Sequence, residues 1–419
     1  MKRFLINGLC LSRNLGGPAM GLTVSGRLRQ RYPDCEVRFA APASVFSTEK
    51  AWAEKFGLSV VPRDSLLTRL AVSPLALPAW WWLKRSGAPG TRRFWHDVRG
   101  QLMDAYDWAD AVINMEGISY VGDGTWSWTE ALANYTAFRD CRRKHKPYCR
   151  FIQSFGPFDD WRVRFLARRE LRTLPFIPAR GRQTADCCRR LLPDREVFDT
   201  PDVAILLPWA DDAWGRDQLA RWDLRPGEYT VLSPSSVMSH IPGSVPGSVG
   251  ARHVESFVRI ARALLDRGRR LLFVPHMYAE RLRQCDREVC REVIASLPKP
   301  AALVEDDIGP GQAKWLIGHA RQAVVSRYHA MVAAVSTATA VVPVGWNVKY
   351  EDLMDYYGLG GVTIDARQFE PEALAREAVA RLGLYDEPRI QQMRDAQKNC
   401  AARVDEVFER LWEWIDRAV

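Results

Sequence analysis

The stretch AVVSRYHAMVAAVSTATAVVPV, residues 323–344, decides the fold. Ala323 to Val325 is a short β-branched run, too brief for a helix and apolar enough to be buried on both faces. Ser326-Arg327-Tyr328-His329 interrupts it with polar groups. Ala330 to Val335 then has the small-residue composition of a helix packed on a sheet, with Ser326 expected as N-cap. Ala340 to Val344 returns to a buried strand. Strand, helix and strand in that order form a βαβ unit, whose strands run parallel because the helix carries the chain back along the sheet.

The alternation extends outward from this unit. Strands are expected at Phe4 to Ile6, Val37 to Ala40, Ala111 to Ile113, Tyr148 to Ile152 and Pro175 to Ile177. After Pro208 a polar stretch, ADDAWGRDQLARWDLRPGE, intervenes. Strands resume at Tyr229 to Leu232, Leu271 to Val274, Ala323 to Val325 and Ala340 to Val344. A chain of 419 residues also exceeds what one core usually organises. The expectation is an α/β protein with mostly parallel sheets: a Rossmann-like domain over 1–208, a second over 209–386, the two facing a central cleft, and a packing helix over 387–419. Met393, Val404, Phe408, Leu411, Trp412 and Ile415 fall at helical spacing in that last segment.

Composition narrows the function classes. Lys and Arg number 59 against 50 Asp and Glu, a formal charge of +9, which favours anionic partners. No zinc-finger spacing, helix-turn-helix signature or RNP motif accompanies the charge, so nucleic acid is not an expected partner. The nine cysteines are scattered without a CxxC pair, which indicates a reducing cytosol and neither a disulfide framework nor a metal site. Residues 1–8 lack a signal-peptide pattern. Leu70 to Leu83 is apolar but too short and too proline-broken to span a bilayer. Within it Trp80-Trp81-Trp82, beside Lys84 and Arg85, admits two readings: a peripheral contact with the inner membrane face, or a patch in the first domain's core.

Ligands of open parallel sheets bind beyond the carboxyl ends of the strands. That rule selects Ser326, Arg327 and His329 after one strand, Lys349 one βα unit later, His276 after Val274, and Arg180 after the run Leu174 to Ile177. A helix start flanked by Arg and His suits a phosphate or carboxylate. The alternative readings are a core histidine at 329, a cleft-wall histidine at 276, and solvated surface charges at 327, 349 and 180.

These residues resemble the polysaccharide pyruvyl transferases. VVSRYHAMVAAVSTATAVVPVGWNVKYEDLMDYYGL (324–359) looks like that family's Ser-Arg-x-His-Ala segment followed by a Pro-Val strand and a Lys-bearing loop. YCRFIQSFGPF (148–158) looks like its Gln-Ser-x-Gly-Pro-Phe strand end. IPARGRQTADCCRRLL (177–192) looks like its Arg-Asp/Glu-x-x-Ser stretch, with Gly181 in place of the acid, and Thr200 to Ala204 like its Pro-Asp-x-Ala. The family's Gly-Asn-x-Gly-Asp is here Arg13-Asn14-Leu15-Gly16-Gly17, and its Gly-Gly-Gly loop is Glu116-Gly117-Ile118. The resemblance implies a GT-B-like transferase moving the pyruvyl group of phosphoenolpyruvate onto sugar hydroxyls as a ketal, without a cofactor. It implies His329 as the leading catalytic residue with Arg327 beside it, and Arg180 and Lys349 as donor-binding cations. The strand-end reading adds Ser326 and His276 to the donor side. Asn14, Glu116, Asp123 and Ser154 are expected toward a sugar or lipid-linked acceptor, the alternative for Glu116 and Asp123 being a helix-capping acid and a tight turn. Two rival readings are a nucleotide-sugar glycosyltransferase and a non-enzymatic module binding anionic glycans or membrane.

Overall fold

A computed structural model describes residues 1–11, 14–42, 46–63, 100–121, 127–239, 249–279, 284–345, 347 and 349–419. Asp123 and the segment Trp80-Trp81-Trp82 lie outside the described residues. The chain divides into two compact units. One comprises Met1–Ser12, Val24–Asp202 and Arg403–Val419, the other Arg13–Thr23 and Val203–Ala402.

The first unit is built on a five-stranded sheet in the order β3 (Ser59–Arg63), β2 (Glu36–Pro42), β1 (Arg3–Asn7), β4 (Ala111–Asn114), β6 (Tyr148–Arg150). Every pairing is parallel. Both faces of the central strands are covered, which is why their sequences are apolar without alternation: Phe4, Leu5, Ile6, Ala111, Val112 and Ile113 are all buried. β5 (Ile118–Ser119) pairs with β7 (Ser154–Phe155), and a bridge from Gln153 to Ala179 leads on to β8 (Ile177–Arg180), which pairs with β9 (Val197–Thr200). The strand expected from Pro175 thus begins at Ile177. Gly181 follows β8 at φ +94°, a left-handed conformation that costs a glycine little, and it opens the helix Arg182–Leu191.

The second unit carries a six-stranded sheet in the order β14 (Ala302–Leu303), β11 (Arg270–Phe273), β10 (Tyr229–Ser233), β15 (Gln322–Val325), β16 (Ala340–Gly345), β17 (Ile364–Asp365), again wholly parallel. A short antiparallel hairpin, β12 (Tyr278–Ala279) and β13 (Gln284–Cys285), sits after β11. Counted along each sheet, the first runs 3-2-1-4-5 and the second 3-2-1-4-5-6, the Rossmann order. Strand order therefore reverses between β1 and β4 in the first unit and between β10 and β15 in the second. Those reversals open the crevices where ligands of such sheets bind.

The helix Glu387–Ala418 buries Met393, Val404, Phe408, Leu411, Trp412 and Ile415, the stripe its sequence spells. Among the described residues no helix is long and apolar enough to cross a membrane.

Candidate active site

At the second unit's reversal point, one carboxylate ties three strand ends together. Asp286, the first residue of the helix Asp286–Ala295, is fully buried. Its Oδ1 accepts from the Ser236 backbone N–H at 2.8 Å and from Arg327 Nη2 at 2.7 Å. Its Oδ2 accepts from Arg327 Nε at 2.8 Å and from the His276 N–H at 3.3 Å. Arg327 Nη2 also donates to Ser236 Oγ at 3.1 Å. The fork-to-fork geometry fixes the guanidinium plane and joins the segments after β10, β11 and β15.

This pairing changes the helix start. Arg327, not Ser326, is the N-cap of the helix Tyr328–Ser336; its guanidinium, having only donors, cannot cap the helix N–H groups and pairs with Asp286 instead. Ser326 remains an extension of β15: its N–H donates to the Ser233 carbonyl at 2.8 Å and its carbonyl accepts from the Tyr350 hydroxyl at 2.8 Å. Its own hydroxyl is buried and has no hydrogen-bond partner.

His329 occupies the first turn of the helix Tyr328–Ser336, its ring edge-on to Tyr328 with centroids 5.3 Å apart. It lines a cavity of about 20 Å³ with His276, Lys314, Leu15 and Ala19. His276 is buried and its pKa falls to about 4, chiefly through desolvation, partly offset by a hydrogen bond to the Val274 carbonyl. Its Nδ1 is 3.3 Å from that carbonyl and 3.3 Å from Ser233 Oγ. The ring is neutral at pH 7, and donation from Nδ1 leaves Nε2 as the acceptor. Lys349 begins the helix Lys349–Tyr356, with Nζ 5.3 Å from the Tyr328 ring centroid and 5.7 Å from that of Tyr350.

Asn14 was expected on the acceptor side of the first domain; the structure places it in the second unit. It bridges to Met277, and the Leu15 N–H donates to the His276 carbonyl at 3.0 Å. Asn14 Oδ1 accepts from the Gly16 N–H at 3.0 Å, capping the helix Gly16–Arg31 beside His329.

The remaining site residues lie in the first unit. Arg180 is buried and donates from Nη1 to Asp202 at 2.7 Å, from Nη2 to the Gly117 carbonyl at 2.6 Å and from Nε to Ser154 Oγ at 3.2 Å. Glu116 stands at the end of β4, where Gly8 at φ +104° lets β1 approach it; a Cβ on Gly8 would come 2.8 Å from the Glu116 nitrogen. Behind Glu116 lies the fully buried Arg150, which donates to Glu170 at 2.5 Å, Ser119 Oγ at 2.9 Å, Asn114 Oδ1 at 3.1 Å and Glu116 at 3.4 Å. Asn114 Nδ2 is buried without an acceptor at this same edge.

Sequence reading missed Asp286, Lys314 and Arg150. Lys314 left a trace, being a lysine inside the apolar run Ala313 to Ile317. Its Nζ donates to the Ile205 and Leu207 carbonyls at 2.9 and 2.8 Å. Asp286 left none, because its partner Arg327 is distant in sequence.

Both units are Rossmann-type, and at the reversal point of the second the segments after β10, β11 and β15 bring together His276, Arg327 and His329, with Lys349 one strand further along the sheet. The family model for polysaccharide pyruvyl transferase matches residues 14–348, and the chain belongs to that family. A comparison with curated proteins finds no match. Among solved structures, a UDP-GlcNAc 2-epimerase from Neisseria meningitidis bound to UDP-GlcNAc is similar at 11% identity and a TM-score of 0.57, over 99% of this chain and 100% of that one. A ugt transferase from Siraitia grosvenorii in complex with UDP gives 11% identity and 0.57 over 100% of both chains. A putative UDP-N-acetylglucosamine 2-epimerase from Listeria monocytogenes gives 12% and 0.56, over 97% and 95%. At these identities the likeness concerns the fold, which is GT-B-like, as the resemblance implied.

Proposed function

We propose that this chain transfers the pyruvyl group of phosphoenolpyruvate onto two hydroxyls of a saccharide, forming a ketal and releasing phosphate. The observation that supports the reading is the placement of Ser326, Arg327 and His329 at the reversal point of one sheet, within the span that matches the family, with Lys349 after the neighbouring strand. In this reading His329 gives a proton to C3 of the enol phosphate, which makes C2 electrophilic. One hydroxyl adds at C2, its proton leaving with the departing phosphate, and the second hydroxyl closes the ketal as its proton returns to His329. A positioned acid and base of this kind is worth roughly 10²- to 10⁴-fold.

Ser326 Oγ and the start of the helix Tyr328–Ser336 offer donors to the carboxylate or phosphate, and Lys349 supplies charge to the leaving group. Arg327, already paired with Asp286, orients rather than neutralises. His276 stays neutral and serves as wall and acceptor. Arg180 is assigned to the donor as well, although Asp202 already meets its charge. Glu116, Ser154 and Asn114 Nδ2, at the first unit's sheet edge, match the alternating donors and acceptors of a sugar, whether free or lipid-linked.

The test is incubation with phosphoenolpyruvate and a panel of saccharides, following phosphate release and an acceptor mass gain of pyruvate less water. His329→Ala is expected to abolish both signals while retaining donor binding by calorimetry. Because similar folds bind UDP and UDP-GlcNAc, nucleotide sugars form a second arm. Transfer from those, with phosphoenolpyruvate inert, overturns the reading.

A further inference from the structure

Position 16 is occupied by the face of an imidazole. A Cβ built on Gly16 would overlap Nδ1 and Cε1 of His329 and come within 2.8 Å of Cγ. Gly16 does not have a left-handed φ, so an alanine could adopt its backbone, and the three atoms nearest the added Cβ all belong to the His329 ring. The backbone around it cannot yield easily. Asn14 Oδ1 holds the Gly16 N–H, the Leu15 N–H is bound to the His276 carbonyl, and Asn14 bridges to Met277. His329 is thus bounded by the backbone of Gly16 on one side and the edge of Tyr328 on another.

We propose that Gly16 is a positioning residue: the segment Asn14-Leu15-Gly16 is a backbone seat on which the His329 imidazole lies, and the missing side chain at 16 sets the ring's place. The inference deepens the proposed function, resting on it for the role of His329, but the seat itself is a statement about packing. It also gives Asn14 a task on the His329 side, as the cap that fixes the seat.

The experiment uses the full chain as wild type, Gly16→Ala, His329→Ala and the double variant. Gly16→Ala is expected to lower Tm in the wild-type background and to cost nothing in the His329→Ala background, where the methyl enters the space the ring has left. Should Gly16→Ala alone fail to fold, the double variant is expected to restore folding. Gly26→Ala, on the same helix with nothing within 4 Å of the added Cβ, serves as the control and leaves Tm undiminished. Peptide-resolved carbethoxylation by diethyl pyrocarbonate reads the ring directly: its rate at His329 changes severalfold in Gly16→Ala, while the rate at exposed His145 does not. Turnover with phosphoenolpyruvate falls on the order of 10²-fold with donor affinity retained, the size of effect an ångström-scale displacement produces.

Equal Tm losses in both backgrounds, or an unchanged His329 modification rate, overturn the seat whatever turnover does. Wild-type turnover in His329→Ala overturns the catalytic role and leaves the Tm coupling intact, so the two failures are distinguishable.

Discussion

Lys314 offers a quantitative check on the interior of the second unit. It is 6% exposed, and burial draws its pKa from 10.5 down to about 8. Its two hydrogen bonds, to the Ile205 and Leu207 carbonyls, equal the number of N–H groups a neutral amine carries, so the uncharged form fits the site. Below pH 8 the native and unfolded states both hold the proton, and the burial penalty is constant. Between pH 8 and 10.5 the unfolded chain keeps a proton that the native state gives up, so stability rises with pH. Above 10.5 the contribution is flat. At about 1.4 kcal/mol per tenfold in proton affinity, the interval amounts to about 3 kcal/mol. Lys314→Met removes the titrating group, and every other ionisation is common to the two proteins. Urea unfolding followed by tryptophan fluorescence from pH 7 to 10.5 is therefore expected to show wild type gaining about 3 kcal/mol relative to the variant. Parallel stability curves would refute the argument, since they would mean that Lys314 titrates alike in both states.

Gly215→Ala tests packing in the same unit: the added Cβ would overlap the Trp315 indole, whose Nε1 is anchored on Asp212 Oδ1 at 2.6 Å, and a loss of about 1–3 kcal/mol is expected in thermal unfolding. Arg150→Met leaves the fully buried Glu170 without its cation, with an expected cost of about 3–5 kcal/mol in urea; wild-type stability would show that the carboxylate is satisfied otherwise. Arg180→Met strands buried Asp202 in the same way, so lost phosphoenolpyruvate affinity in that variant counts toward donor binding only if circular dichroism and Tm show a folded protein.

The parallel α/β architecture was legible in the sequence because burial on both faces leaves a plain signal. Runs such as Ala111 to Ile113 and Ala340 to Val344 are apolar without alternation, and the helical stripe through Phe408 and Ile415 has one period. Strand-end polar residues were legible for the same reason, since His329, Arg327, Ser326, His276 and Arg180 each interrupt or follow such a run. The short pairs β5 with β7 and β8 with β9 were harder to read, because a strand of two to four residues is specified by its partner rather than its own composition. Pairing at a distance was beyond sequence reading altogether. That Asp286 holds Arg327, that Arg150 lies within the first unit's core, and that Leu15 and Gly16 meet His276 and His329 are contacts between residues far apart along the chain. A sequence fixes which groups a strand end carries through local burial. Which charge meets which, and which face of an imidazole has backbone against it, is decided only when separate strands and helices close on one another, because those energies depend on distances that local pattern does not encode.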